Sequence, residues 1–123
     1  MFDWLKPKKQ ETPPLSSHAP ELPKAQEITA KQLRELLAAS APPLVLDVRE
    51  AYELADGIVP GSVHIPMRFI PARLSELPRD RPIVAYCAAG VRSLYVAEFL
   101  LAQGYGDVKS LAGGMIAWQA TGQ

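Results

Sequence analysis

The sequence contains a single cysteine, Cys87, so no internal disulfide can form and a disulfide-stapled scaffold is excluded. Histidine is almost as scarce. His18 and His64, together with Cys87, fall short of the four N/S ligands of a typical zinc site, and no metal is expected. No apolar run approaches the roughly 18 residues of a membrane-spanning helix. The first residues, Met1 to Lys9, lack the apolar stretch of a signal peptide. A cytoplasmic protein is the expectation. Neither charge sign is in excess, with 13 Lys and Arg against 13 Asp and Glu. Bulk charge therefore draws the chain toward neither nucleic acid nor an anionic membrane, and any steering must be local. What is present is a 123-residue chain that is 48% hydrophobic, enough for one domain around one core.

Residues 1–26 differ from the rest. Pro7, Pro13, Pro14, Pro20 and Pro23 remove backbone donors and disfavour helix, so this stretch is read as an extended Pro-rich tail. Phe2, Trp4 and Leu5 within it are candidates for docking on the domain, a partner or a membrane surface; the plainer reading is a disordered start. Residues 27–123 read as the domain. Thr29 and Gln32 form a capping box that opens a helix to about Ala39, with Leu33, Leu36 and Leu37 on one face. Leu44–Val48 and Ile83–Tyr86 read as buried strands, and Val63–Ile65 and Val108–Leu111 as two further short strands. Helices are expected at Glu50–Leu54, Ile70–Leu77 and Arg92–Ala102, and from Gly113-Gly114 through Trp118, with Trp118, Met115 and Ile116 in the core. Alternation of strand and helix predicts an α/β fold, with parallel strands and helices on both faces. Ligands gather at the carboxyl ends of such strands, where Cys87 follows Tyr86 directly.

The segment Cys87-Ala88-Ala89-Gly90-Val91-Arg92 joins a buried strand to a helix N-terminus. Amides without helical partners and the positive end of the helix dipole favour an anion there. A loop curled over its first residue turns those amides onto the sulfur as an anion nest, acidifying a thiol whose ordinary pKa is about 8.5. Gly90 supplies the positive φ that a tight cradle needs. Ala88 and Ala89 are small and leave the mouth open, while Arg92 suits holding the loop or an anionic donor. The alternative is a buried, inert cysteine.

These residues resemble a known family. Cys87 to Arg92 matches the C-x-x-G-x-R loop of rhodanese domains. Leu46-Asp47-Val48-Arg49-Glu50 is similar to the family's L-D-V-R-E segment. Gly57 to Pro66 is similar to G-H-I-P-G-A-x-x-I-P, and Leu111 to Trp118 to L-x-G-G-x-x-A-W. The four motifs stand in order across about residues 27–120. The resemblance implies a rhodanese-like three-layer fold with a parallel five-stranded sheet, its fifth strand supplied by Glu27-Ile28. It implies a sulfurtransferase with Cys87 and Arg92 catalytic and the loop Ala88 to Arg92 binding substrate. A Cys87 thiolate would take the outer sulfur of thiosulfate or a persulfide. The resulting persulfide would pass it to cyanide, a thiol or a protein acceptor, with no metal or organic cofactor. Two departures stand out. Ile58 replaces the family's His, and the uncharged Ala88 and Ala89 weaken the case for thiosulfate as donor.

Asp47 and Arg49 are supporting candidates, with Asp47 orienting the loop through Arg92 or both residues forming structural ion pairs. The structural role is favoured. Tyr86 and Tyr95 are expected to pack, and His64 to make a structural polar contact. Two rival functions remain open: a non-catalytic binding or regulatory module, and a cysteine phosphatase. The phosphatase is disfavoured because its loop is C-x5-R and this one is C-x4-R.

Overall fold

The computed structural model describes residues 23–122. Residues 1–22, and with them the docking candidates Phe2, Trp4 and Leu5, lie outside the described residues. Five strands form one sheet: β1 (Gln26–Ile28), β2 (Leu44–Asp47), β3 (Val63–His64), β4 (Ile83–Tyr86) and β5 (Val108–Leu111). Their spatial order is β1-β5-β4-β2-β3 and every pairing is parallel. Three α-helices accompany them: α1 (Ala30–Leu37), α2 (Val91–Ala102) and α3 (Gly114–Ala120). This is the predicted α/β architecture. The first strand pairs with β5 through Gln26, Glu27 and Ile28, so regular structure begins one residue before the expected Glu27 boundary.

Side chains alternate across a strand, and here the alternation sorts the core into two layers. Ile83, Ala85 and Cys87 face one layer with Leu44, Leu46, Val96, Ala97 and Leu100, under α2. Val84 and Tyr86 face the other with Val45, Leu33, Met115 and Trp118, under α1 and α3. Leu46, Ile65, Ile83 and Leu100 are fully buried, each contributing about 1.5–3 kcal/mol through removal from water. Both faces of β2 and β4 are covered, which explains the apolar runs Leu44–Leu46 and Ile83–Ala85.

The Thr29 capping box forms as expected: Gln32 N–H donates to Thr29 Oγ1 at 3.1 Å and Thr29 N–H to Gln32 Oε1 at 2.8 Å. Other local expectations are corrected. The helices expected at Glu50–Leu54 and Ile70–Leu77 are 3-10 segments, at Ala51–Asp56, Met67–Phe69 and Pro71–Glu76. Prolines at 66 and 71 break the second region, and Arg73 leaves helical geometry at φ −119°. Leu36 is exposed, because Ala30, Leu33 and Leu37 already fill the inward stripe of α1. Ile116 is exposed as well; Gly114, Met115 and Trp118 are the inward residues of α3.

The third helix does more than close the core. Its Met115 N–H donates to the Cys87 carbonyl at 2.8 Å and its Ile116 N–H to the Ala88 carbonyl at 3.1 Å. So close an approach requires glycine at 114, where φ is +57° and a Cβ would collide with the Cys87 carbonyl oxygen and stand 2.7 Å from the Ala88 carbonyl carbon. Gly114→Ala is expected to lower stability by about 2–4 kcal/mol in a urea titration, since both colliding groups are backbone. A loss under about 0.5 kcal/mol would show that α3 does not need this contact.

Candidate active site

Cys87 follows β4 at the carboxyl edge of the sheet, and the chain then curls into α2. Gly90, at φ +106°, makes the bend. Its N–H donates to Cys87 Sγ at 3.1 Å, and the Ser93 N–H donates to the same sulfur at 3.4 Å. The Ser93 hydroxyl lies 3.5 Å from Sγ. It accepts from the thiol and can rotate to donate once the sulfur is ionised. The same hydroxyl is 2.8 Å from Ser110 Oγ, on β5, and both serines are fully buried. Burial pushes the Cys87 thiol up, but hydrogen bonds from the Ser93 side chain and from the amides of Ser93, Gly90 and Ala89 outweigh it, and the thiol lies below its ordinary value. The arrangement can stabilise negative charge on one sulfur atom, both as nucleophile and as leaving group.

Around this cradle the charges are paired. Asp47 and Arg49 are both buried, joined by Arg49 Nη2 to Asp47 Oδ2 at 2.7 Å and Arg49 Nε to Asp47 Oδ1 at 3.0 Å. Tyr86 Oη also donates to Asp47, at 2.7 Å, and accepts from the Val59 N–H at 3.1 Å. Burial raises the Asp47 carboxyl, but the hydrogen bonds from Arg49 and Tyr86 and the Arg49 charge bring it below its ordinary value. Arg49 also donates to the carbonyls of Glu53 and Gly57, tying the segment after β2 into one unit. Arg92 reaches across from α2 to Glu53 in a two-pronged ion pair with both distances 2.8 Å.

A family model, the rhodanese-like domain, matches residues 29–121. The chain belongs to the rhodanese-like domain family. A sulfurtransferase from Allochromatium vinosum is 43% identical over 96 residues, covering 78% of this chain and 90% of that protein. Thiosulfate sulfurtransferase GlpE of Pseudomonas aeruginosa is 33% identical over 95 residues, covering 77% and 84%. Among solved structures, a rhodanese-like domain protein from Staphylococcus aureus superposes with a TM-score of 0.71 at 39% identity, covering 76% of this chain and 90% of that one.

Within this rhodanese-like domain the structure brings Cys87, Gly90 and Arg92 to one junction and sets Ala88, Ala89 and Val91 along the loop between them. Asp47 does not touch Arg92; it is committed to Arg49 and Tyr86, the structural arrangement favoured from sequence. The open mouth expected from two alanines is not found. Cys87 is only 1% exposed, because the Gly90 and Ser93 amides and the Ser93 hydroxyl close around the sulfur. His64 makes its expected structural contact, Nε2 to the Arg49 carbonyl oxygen at 2.7 Å. Tyr86 packs as expected, whereas Tyr95 is exposed on α2. Two site residues were missed, Ser93 beside the sulfur and Glu53 against Arg92. Ser93 carries no motif beyond its place in the first turn of α2. Glu53 was signalled by the spacing Glu50-x-x-Glu53, which forms a capping box.

The Arg92 hydrogen bonds hold the Glu53 carboxyl at about 2. Because the folded value lies below the ordinary carboxylate range of about 4.3, the pair contributes full stability above that range and loses it as pH falls toward 2. Glu53→Gln is therefore expected to cost about 1–2 kcal/mol at pH 7. The difference from wild type should shrink steadily below about pH 4. Urea unfolding of both proteins across that range checks it, and a gap independent of pH would count against the pair.

Proposed function

We propose that this rhodanese-like domain moves sulfane sulfur from a donor, thiosulfate or a persulfide, to a thiol or cyanide, with Cys87 as the carrier. The observation that carries the reading is a cysteine sulfur accepting two main-chain hydrogen bonds, from Gly90 and Ser93, at a strand-to-helix junction. The sulfurtransferase names of its relatives support the same chemistry. In the first step the Cys87 thiolate attacks the outer sulfur of the donor. The donor's S–S bond breaks and its electron pair leaves with sulfite, or with a thiolate when the donor is a persulfide. Cys87 then holds a persulfide whose outer sulfur stands about 2 Å beyond Sγ. In the second step the acceptor attacks that outer sulfur and Cys87 departs as thiolate. The amides that acidify the nucleophile therefore also stabilise the leaving group, so one cradle serves both steps.

Cys87 is the chain's one cysteine, so an external acceptor must discharge the persulfide. A lone thiol kept reduced suits the cytoplasm, where this reading places the protein. Arg92, locked to Glu53, holds the start of α2 against the segment after β2 and thereby the loop in shape.

Intact-mass measurement after treatment with thiosulfate, and separately with a low-molecular-weight persulfide, is expected to show a gain of about 32 Da, one sulfur atom, that disappears on adding cyanide. Cys87→Ser should show neither the gain nor turnover. Survival of either in that variant would overturn the assignment.

A further inference from the structure

All five strands run in one direction, so the segments that follow them share the edge of the sheet where Cys87 lies. Those segments carry an unusual amount of exposed apolar surface. Tyr52 follows β2, Met67 and Phe69 follow β3, Val91 and Tyr95 follow β4, and Ile116 follows β5; together they are six of the nine large apolar side chains exposed among the described residues. Contacts tie three of them to the loop. Ile116 donates its N–H to the Ala88 carbonyl, and Val91 and Tyr95 line a cleft of about 410 Å3 with Ala89 and Gly90. Apolar surface gathered around a reactive group in this way marks a contact site for another macromolecule.

The charge pattern says what kind. Arg49, Arg68 and Arg92, carried by the segments after β2, β3 and β4, each pair with a carboxylate: Asp47, Glu50 and Glu53. Each of these three is committed to a carboxylate within the described residues. The same cleft is lined by Glu27 from β1 and Glu98 from α2, neither of which makes an ion pair within the described residues. The surface beside the Cys87 loop is thus apolar, with two carboxylates lining its cleft.

We propose that the thiol that discharges Cys87 belongs to a protein segment with apolar residues for the Val91–Tyr95 surface and basic residues for Glu27 and Glu98. This rests on the sulfurtransferase reading and names its acceptor class. The acceptor thiolate attacks the outer sulfur of the Cys87 persulfide, the bond from that sulfur to Sγ breaks, Cys87 leaves as thiolate, and the acceptor becomes the persulfide with no net oxidation or reduction. Complementary charge raises the encounter rate and selects among thiols.

The test uses the full chain loaded with persulfide and three synthetic peptides, each with one cysteine: flanked by Leu and Lys, by Leu and Glu, or by Ser and Lys. Single-turnover mass spectrometry reads the peptide persulfide formed, with cyanide as reference acceptor. The Leu/Lys peptide is expected to react about fivefold or more faster than either of the others at low salt. In the Glu27→Gln/Glu98→Gln double variant the Lys-over-Glu preference should fall to within about twofold. Equal rates for the three peptides, or a preference that survives in the double variant, would overturn the proposal, as would discharge by cyanide but by no peptide. Failure to load Cys87 at all would instead overturn the sulfurtransferase reading beneath it.

Discussion

The contact on which the site depends is between two carbonyl groups of the loop and the first amides of α3. Met115 and Ile116 donate to the Cys87 and Ala88 carbonyls, turning both outward. In a trans peptide the carbonyl and the following N–H point in opposite directions. Holding the Ala88 carbonyl outward therefore turns the Ala89 amide inward, toward the sulfur that it helps to acidify. Gly90 then bends the chain so that its own amide and that of Ser93 complete the cradle. The two ends of the domain are joined here: a motif near residue 114 sets the electrostatics of a sulfur at residue 87.

Desolvation works against this arrangement. A buried thiolate is disfavoured by its surroundings, and only several hydrogen bonds acting on one atom reverse the balance. Ser93 and Ser110 illustrate the expense of such a design, since each buries a hydroxyl completely and is satisfied by the other. The surrounding charges follow a different rule. Asp47 with Arg49, and Glu53 with Arg92, neutralise one another and hold backbone segments in place, which leaves the sulfur governed by dipoles rather than by a nearby free cation.

Much of the fold was legible because its signals are local and redundant. The runs read at Leu44–Val48 and Ile83–Tyr86 are short and mostly apolar and each follows a proline, and they form the strands Leu44–Asp47 and Ile83–Tyr86; the segment read at Val108–Leu111 is a strand as well. The loop was legible because a cysteine, a glycine and an arginine occupy the junction in register with three other motifs. Secondary structure failed where proline spacing matters more than apolar content, so the region from Met67 to Glu76 became 3-10 turns. Side-chain partners were harder still. The sequence offered Asp47 as a partner for Arg92, whereas the three-dimensional crossing of α2 over the segment after β2 gives it Glu53. Burial of the sulfur was missed for a related reason: the size of Ala88 and Ala89 says how much room the loop leaves, but not how closely Ser93 approaches from the helix.

Titration of the Cys87 thiol reaches the centre of this account most directly. Thiolate absorbance near 240 nm, followed across pH in wild type and in Ser93→Ala, should place the wild-type midpoint below the ordinary thiol value of about 8.5 and move it upward when the Ser93 hydroxyl is removed. A wild-type midpoint at or above that ordinary value would contradict it.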